Sequence, residues 1–339
     1  MLKNIILLVS TTVLLFANGY SQTNNNFKDK LFAEYEDMYD MHNSSELSKI
    51  NTSTTIQDSN TTLIGRWAHG PCRFVDIQDS ISCFSDGGNL VMMNISDPNN
   101  VKQLSSMITP GIIEDIKISG DYVYIVMGYG GFCIINISDP ENPIEESIFY
   151  TNAIAVGVDI KGDYAYIADI YGLKVIDISD PVNPVETGFY DTDGWAYKVA
   201  IQGNYAYVAG MSEGLIVIDI SDPANPTKIA SFDTGDRAYR ITVNGDYAYI
   251  ADGWDGLRII DISDHANLQE TGFIDIGGFA SEVVLQDSCA YMAYGWGLKI
   301  IDISDPANPE KIGEFDTDCT VSGVAIQGNY TYLANEDDG

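Results

Sequence analysis

The stretch GDYAYIADGWDGLRIIDISD, from Gly245 to Asp264, decides the fold, because nearly the same residues are written on either side of it. An earlier copy reads GDYAYIADIYGLKVIDISD, and a following copy reads SCAYMAYGWGLKIIDISD. The Asp of the tetrapeptide I-S-D-P, or of a close variant, falls at positions 97, 139, 180, 222, 264 and 305. These intervals of 41 or 42 residues mean that one supersecondary unit is used repeatedly.

Each repeat predicts four short β-strands. In the quoted copy the apolar runs are AYRITVNG, DYAYIAD, GLRIIDIS and LQETGFID, at residues 238–245, 246–252, 256–263 and 268–275. Gly245 can supply the positive φ of a two-residue hairpin turn between the first two runs. In other copies S-D-P-x-N-P joins the last two runs, and there Pro sets φ while Asp and Asn can bond nearby amides. We expect that turn-forming role for the equivalent residues Asn94, Asn136, Asp177, Asp219, Asp261 and Asp302.

The burial pattern favours one β architecture. The run DYAYIAD is apolar on both faces, so the second strand should be covered on both sides, whereas the fourth strand is polar and predicts a solvated outer edge. A four-stranded unit of this kind with a period of about 40–45 residues is typical of a propeller blade. A solenoid would use a shorter period, and a β-sandwich would not repeat its sequence. We therefore predict an all-β protein, a β-propeller of four-stranded blades.

The number of blades follows from the incomplete repeats. TLIGRW, residues 62–67, matches a fourth strand without the preceding three. Six full repeats follow, and VSGVAIQG and NYTYLANEDDG then match a first and a second strand up to Gly339. We predict seven blades within residues 62–339, with the closing blade split between the two termini and incomplete at the C-terminus. A six-bladed ring with a frayed tail is the alternative, and the missing third strand leads us to expect a longer gene product.

The third-strand copies GLKVIDISDPVNP, GLIVIDISDPANP and GLKIIDISDPANP resemble the LVIVD-repeat proteins, a family of exported bacterial β-propellers. The likeness covers about residues 62–339. The resemblance implies a propeller and a surface or extracellular location. It implies no catalytic residues, because the repeat signature is structural.

The N-terminus reads as an export signal. Lys3 supplies a positive charge, Ile5–Phe16 is a short apolar run, and ANGYSQ offers small residues for cleavage near residue 22. Twelve residues are too few to span a bilayer comfortably, and no longer apolar run follows. We predict a signal peptide at residues 1–22 and a secreted or cell-surface protein. Residues 23–61 read as a leader and linker, in which apolar residues at 27, 31, 35 and 39 favour a short helix.

The charge balance limits the partners. The chain of 339 residues has 49 acidic and 17 basic residues and a formal net charge of −32. Such a charge repels nucleic acid and anionic membranes, and it favours cations, sugars or basic protein patches. We expect a monomer with an extracellular glycan or protein partner. Solubility alone is the alternative reason for the acidity.

The residues that usually carry chemistry are few. The histidines His42, His69 and His265 are far apart in the repeat map, and no phosphate-loop, dinucleotide or nucleophile-elbow motif occurs. DTDG, residues 191–194, starts like a calcium loop, but Gln202 stands where an EF-hand needs Glu. We therefore predict no cofactor, with Ca²⁺ as the alternative. The five cysteines show no C-x-x-C spacing, and we predict a disulfide between Cys72 and Cys319, which flank the expected ring closure.

The loops vary between repeats although the strands do not. In a propeller, the loops between second and third strands and those between fourth and first strands open on one face, around the central channel. Exposed aromatics beside acids suit carbohydrate stacking or a protein hot spot, although each aromatic could instead pack on its own blade. The candidate ligand-binding residues are Tyr129, Tyr171, Trp254 and Trp296 in the first loop class, Trp195, Arg237 and Phe279 in the second, and the neighbouring Asp252 and Asp255.

Together these features predict an exported, non-catalytic binding module that presents a propeller loop face to a glycan or a protein at the cell surface. The alternative is a polysaccharide hydrolase or lyase that uses loop-face carboxylates.

Overall fold

The computed structural model describes residues 72–317 and 320–335, and every regular element in this part of the chain is a β-strand. The predictions for the signal peptide, the leader, residues 62–67 and Cys319 fall outside the described residues. The all-β prediction is confirmed. In the quoted repeat, the four strands begin and end within two residues of the predicted runs.

Six antiparallel sheets have four strands each, in chain order, and we number them as blades 1–6. Blade 1 contains β1 (Val75–Gln78), β2 (Ile81–Asp86), β3 (Asn89–Asn94) and β4 (Lys102–Ile108), and blade 2 contains β5 (Asp115–Ser119), β6 (Tyr122–Val126), β7 (Phe132–Asn136) and β8 (Ile144–Phe149). Blade 3 contains β9 (Ala155–Lys161), β10 (Tyr164–Asp169), β11 (Gly172–Asp177) and β12 (Val185–Asp191), and blade 4 contains β13 (Lys198–Gln202), β14 (Tyr205–Ala209), β15 (Leu215–Asp219) and β16 (Thr227–Phe232). Blade 5 contains β17 (Arg240–Asn244), β18 (Tyr247–Ala251), β19 (Leu257–Asp261) and β20 (Gln269–Ile274), and blade 6 contains β21 (Ala280–Gln286), β22 (Cys289–Tyr294), β23 (Gly297–Asp302) and β24 (Glu310–Asp316).

The last sheet differs from the prediction of seven blades. The described residues form six complete blades, and the remaining sheet has only two strands, β25 (Val321–Gln327) and β26 (Tyr330–Asn335). Residues 62–67, which were predicted to supply an outer strand, lie outside the described residues. Within the described chain no third strand pairs with β26, so this sheet is not a complete blade.

The sheets close into a ring through their first strands. Each first strand contacts the first strand of the next sheet, from β1 to β5 and onward to β25, and β25 contacts β1. Within the described residues, an apolar cluster fills every interface between neighbouring sheets, including the two that flank β25 and β26. The first strands therefore line a central channel.

The second strands are buried on both faces, as their sequence predicts. Tyr249 and Ala251 of β18 belong to the cluster shared with blade 6, whereas Ala248 and Ile250 belong to the cluster shared with blade 4. The first tyrosine of the strand, Tyr247, is only half-buried. The fourth strands consist almost entirely of exposed and half-buried residues, which is expected of an outer edge.

In blades 2, 3 and 4 a carboxylate from the preceding blade accepts a backbone N–H of the inner strand. Asp76 Oδ2 accepts the backbone N–H of Ile118 at 2.7 Å, and Asp159 Oδ2 accepts that of Ile201 at 2.8 Å. Both links join residues 42 positions apart, which is one repeat. A backbone N–H at an unpaired edge needs such a partner when it is buried. The repeat period is therefore also a period of hydrogen bonding around the channel.

The I-S-D-P turns hold the outer part of the ring. Asp177 Oδ1 accepts the N–H of Ser179 at 2.9 Å, which confirms the predicted turn role, and the other five equivalent residues make the same bond to the Ser two positions on. The turn also docks on the preceding blade, because Ser147 Oγ of β8 donates to the carbonyl of Pro181 at 2.6 Å. His265 replaces Pro in one copy and packs 3.8 Å, ring centroid to centroid, from Tyr205.

Asp159→Ala should lower the free energy of unfolding by about 1–3 kcal/mol. The change leaves the Ile201 N–H without its acceptor and removes the ion pair with Lys117, whose Nζ lies 3.4 Å from Oδ1. Urea unfolding followed by tryptophan fluorescence measures the loss. Asp163→Ala in the exposed turn that follows is the control, and an equal loss in both variants would contradict the inter-blade role.

Candidate functional site

Two classes of loop meet at one end of the blades. Gly128, between β6 and β7, exchanges backbone hydrogen bonds of 3.0 and 3.2 Å with Ala155, at the start of the next blade. Met211 pairs in the same way with Ala238, and Gly253 pairs with Ala280. The loops between second and third strands therefore lie beside the loops that enter the following blade. We call this end the loop face, and all nine predicted ligand-binding residues lie on it or just beneath it.

Among the described tryptophans, the most exposed side chain is held by an aromatic cluster. Trp254 is 63% exposed, and its ring centroid lies 5.7 Å from that of Phe279 in an edge-on arrangement. Phe279 lies 4.9 Å from Tyr239, which lies 5.5 Å from Tyr197. Trp254 and Phe279 were predicted from the sequence, whereas the two tyrosines were not, because they directly precede first strands and carry no loop signal. The cluster fixes the indole in place while leaving its outer face open.

The aromatic cluster continues into the channel. The guanidinium carbon of Arg240 lies 5.3 Å from the ring centroid of Tyr197 and 5.1 Å from that of Phe74, the residue directly before β1. Its Nε lies 3.4 Å from Glu282 Oε2. Sequence reasoning missed these charged residues, since alternation along a single first strand does not reveal which residues meet across a ring.

The channel encloses a cavity of about 380 Å³ lined by the first strands. Its charged groups are engaged with one another or with backbone. Asp115 Oδ2 accepts the Val158 N–H at 2.9 Å and lies 2.5 Å from Lys198 Nζ. Near the mouth of the channel, the removal of water raises the pKa of Glu114 to about 7, against the opposing attraction of the nearby arginines. The channel residues thus cross-link blades that are far apart in sequence.

The predicted loop carboxylates mainly hold their own loops. Asp252 is fully buried, accepts the Thr234 hydroxyl at 2.6 Å and lies 3.6 Å from Arg258 Nε. Asp255 lies 2.7 Å from Arg258 Nη2. The interpretation of Asp252 as a ligand contact is therefore corrected: its charge is used inside the loop, because a buried carboxylate requires partners.

Asp169 occupies the same loop position in blade 3. It is fully buried, and its Oδ1 accepts the N–H groups of Tyr171 and Gly172 at 2.8 and 3.1 Å. Oδ2 is buried without a hydrogen-bond partner. Burial raises the pKa of Asp169 to about 6, although the two amides oppose the rise.

The remaining candidates divide by exposure. Tyr129 is 69% exposed and Tyr171 is 44% exposed, and they lie on the neighbouring blades 2 and 3. The pKa of Tyr129 is raised by partial burial and by the proximity of Tyr171. Trp296 is half-buried and packs against the apolar cluster between blades 5 and 6, and Trp195 and Arg237 are also half-buried. The structure thus brings Trp254 and Phe279 into contact and leaves Tyr129 and Tyr171 exposed on another part of the loop face.

Three large apolar residues on the loop face were missed. Ile108 is 83% exposed, Ile112 is 56% exposed and Tyr150 is 63% exposed. They lie at the ends of outer strands or in the loops that follow, where a single copy of the repeat gives no signal. Alignment of the six repeats with one another could have found two of them, because Asp stands at the positions equivalent to Ile108 and Tyr150 in blades 3–6.

The DTDG segment and the cysteines have simple surroundings. Asp191 Oδ1 accepts the N–H of Asp193 at 2.9 Å, so this carboxylate caps a turn. Among residues 72–317 and 320–335, no three His, Cys, Asp or Glu side chains form a group that could hold a metal ion. Cys72 carries a free, buried thiol in the structure, so the described residues do not show the bridge predicted to Cys319, which lies outside them.

Comparison with known proteins identifies the repeat. The model of the LVIVD repeat matches residues 110–151, 154–192, 193–234, 235–275, 277–317 and 320–339. The chain belongs to the LVIVD-repeat family. The first five LVIVD matches contain blades 2–6, and the sixth contains β25 and β26. No curated protein matches the chain.

Two solved structures share the fold of this LVIVD-repeat protein. The crystal structure of the computationally designed Ika8 protein aligns with a TM-score of 0.63 at 10% identity, covering 80% of this chain and 95% of the other. A chain in the crystal structure of the Mitotic Checkpoint Complex aligns with a TM-score of 0.67 at 12% identity, covering 86% of this chain and 91% of the other. At such identities the likeness concerns the fold alone. Within the described residues, no helix combines the length and the apolar character needed to cross a membrane.

Asp169→Asn should make the protein more stable at pH 8 than the unchanged chain. The native pKa of about 6 lies above the ordinary value of 3.8, so the native state binds the proton more tightly. The contribution of Asp169 to the stability of the unchanged chain should therefore fall as pH rises from about 4 to 6 and stay lower above that. Asn keeps the Oδ1 acceptor and removes the charge. Thermal unfolding at pH 4 and pH 8 measures the difference, which should shrink at the lower pH, and Asp246→Asn in an exposed turn is the control. A difference of the same size at both values would contradict the assignment.

Proposed function

We propose that this LVIVD-repeat protein is an exported, non-catalytic binding module that presents its loop face to a protein or a glycan at the cell surface. The observation that carries the proposal is the exposed indole of Trp254, which rests on Phe279. An aromatic ring that is both exposed and held in place gives up little conformational freedom when a ligand covers it. Such residues are typical of binding hot spots.

The division of labour between scaffold and loops supports a binding role. The repeated residues make the turns, the inter-blade hydrogen bonds and the apolar clusters. The exposed rings of Tyr129, Tyr171 and Trp254 contribute little to these interactions, apart from the packing of Trp254 on Phe279. Other large apolar residues, such as Val182 and Phe273, are exposed elsewhere on the blades, but these three rings lie on the loop face, where binding residues of a rigid scaffold are expected.

The carboxylates favour binding over hydrolysis. A glycosidase needs two accessible carboxyl groups on either side of the scissile bond. Asp169 and Asp252 are fully buried, and Asp255 is paired with Arg258. These three acids are used inside the protein, and the exposed Asp191, Asp233 and Asp275 each accept a turn amide. This structural use of the loop acids supports a binding module rather than a polysaccharide hydrolase or lyase.

The proposed location rests on the N-terminal residues and the charge. Residues 1–22 have the three parts of a secretory signal, and the net charge of −32 suits a protein that stays dispersed outside the cell. Sequencing the N-terminus of the mature protein tests this part, with cleavage near residue 22 as the expected result.

We also propose that β25 and β26 are the inner half of a seventh, split blade. β25 contacts the first strands on both sides and thereby closes the ring. In β10 of a complete blade, Tyr166 and Ile167 are 2% and 0% exposed, whereas the equivalent Tyr332 and Leu333 are only half-buried. The missing burial is what a third strand would supply.

Appending GLRIIDIS, a third-strand sequence of this chain, after Gly339 should raise the unfolding midpoint by about 5 °C, because the new strand would pair with β26 and bury Tyr332 and Leu333. The matched control appends GLRPIPIS, in which Pro removes two backbone donors. Differential scanning calorimetry measures both proteins. Equal midpoints would exclude the split blade.

Trp254→Ala should abolish ligand binding by the full chain with little loss of stability, since the indole is mostly exposed. Trp296→Ala is the contrast, because that side chain packs on the apolar cluster and its loss should cost about 1–2 kcal/mol. Binding is measured on a glycan array and a displayed peptide library, and turnover is screened on the same polysaccharides. Binding that persists in Trp254→Ala, or turnover by the unchanged protein, would contradict the proposal.

A further inference from the structure

One position at the end of the fourth strand separates blades 1 and 2 from the others. In every complete blade it directly follows the fourth-strand residue that pairs with one large apolar residue of the third strand. These third-strand residues are, in blade order, Leu90, Phe132, Leu173, Leu215, Leu257 and Leu298. Four blades place an acid there, and two place a large apolar residue. The residues at this position are Ile108, Tyr150, Asp191, Asp233, Asp275 and Asp316, in blade order.

The acid at this position has a structural task. Asp191, Asp233 and Asp275 each accept the N–H of the residue two positions on, at 2.9, 3.0 and 2.8 Å. The turn itself is retained where the acid is absent, since Asn152 has a φ of 61° like the 59° of Asp193. Blade 2 therefore keeps the turn, lacks its cap and exposes a tyrosine instead. Replacing a capping acid by an exposed tyrosine does not stabilise the fold, which indicates that Tyr150 has a role in binding.

The exposed apolar residues are contiguous. The loops that carry Ile112 and Tyr129 touch, because a Cβ placed on Gly111 would lie 3.5 Å from the Cα of Gly130. A Cβ on Gly131 would lie 3.0 Å from the Cα of Tyr150. The loop segments 108–113, 127–131 and 150–154 contain no charged residue. We call this surface the apolar sector, and it consists of Ile108, Ile112, Tyr129, Tyr150 and Tyr171.

An acidic surface adjoins the apolar sector. The backbone N–H of Thr192 donates to the carbonyl of Tyr171 at 3.3 Å, and the exposed Asp191 and Asp193 flank Thr192. Further exposed acids follow around the loop face in blades 4 and 5. We call this surface the acidic sector, and it consists of Asp191, Asp193, Glu213, Asp233 and Asp275.

We propose that the loop face binds a protein segment in which large apolar side chains lie next to Lys or Arg. The inference rests on the proposed binding function and specifies its partner. The apolar side chains cover the apolar sector of blades 1–3, and the basic side chains face the acidic sector of blades 3–5. Apolar burial supplies affinity, whereas the opposite charges orient the segment and speed its association.

Charge and chemistry disfavour other occupants. A second copy of this chain carries the same net charge of −32 and is repelled, and an anionic lipid surface is repelled for the same reason. A glycan stacks on aromatic rings, but the aliphatic Ile108 and Ile112 offer it neither a ring nor a polar group. These two side chains are the part of the sector that specifically favours a protein.

The test screens the full chain against a displayed library of random peptides and measures the enriched peptides by fluorescence anisotropy. Tyr150→Asn should raise the dissociation constant at least tenfold, because it removes the central ring of the sector. The new amide oxygen can accept the Asn152 N–H, so the unfolding midpoint should not fall. Asp233→Asn combined with Asp275→Asn keeps both caps, and it should raise the dissociation constant several-fold and weaken its salt dependence. Val182→Asp is the control, since Val182 is 55% exposed in a β11–β12 turn at the opposite end of the blade.

The inference requires enriched peptides that contain both apolar and basic residues and that lose affinity with Tyr150→Asn and with Trp254→Ala but not with Val182→Asp. Enrichment of peptides without basic residues, or no enrichment, overturns it. A glycan that needs Trp254 but tolerates Tyr150→Asn overturns the inference and leaves the proposed binding function standing. If neither the peptide library nor the glycan array yields a ligand that depends on the loop face, the inference and the proposed binding function are both overturned.

Discussion

The innermost strand of every blade is an edge strand, and its unpaired backbone groups must be satisfied inside the ring. In blades 2–4 a carboxylate from the preceding blade accepts one of these N–H groups, as Asp159 does for Ile201 one repeat later. The same carboxylate also lies 3.4 Å from Lys117 Nζ, so a single residue links strands of three blades. The hydrogen bonds between blades and the closure of the ring therefore both depend on the sequence period, because each inter-blade bond needs the next repeat at a fixed offset.

The rigidity of this ring explains how the loops can differ. The apolar clusters and the I-S-D-P turns are repeated in every complete blade, so the loop face inherits a fixed frame. On that frame Trp254 is held by Phe279 although it is mostly exposed, and Tyr150 replaces a capping acid without loss of the turn. A scaffold that needs nothing from a loop residue leaves that residue free to bind a ligand.

Much of the fold was predictable because a repeat tests each inference several times. The strands, the two-sided burial of DYAYIAD and the turn role of Asp177 were all predicted from recurring letters, and each is confirmed. The candidate site was predictable only in part. The loops were placed correctly, but Asp252 was taken for a ligand contact although it is buried beneath its loop. Exposure depends on how a side chain meets its neighbours, and no single copy of the repeat encodes that.

The sequence by itself determined the blade, its four strands, its turns and the face on which variation is allowed, since these depend on local periodicity and on residues within one repeat. Only the tertiary structure decided which residues meet across the ring. Asp115 lies beside Lys198, 83 positions away, and Arg240 faces the ring of Phe74. The tertiary structure also decided that Tyr129 and Tyr150 are exposed whereas Trp296 is half-buried. The reason is geometric: closure brings distant repeats together, and the contacts across a closed ring have no counterpart along the chain.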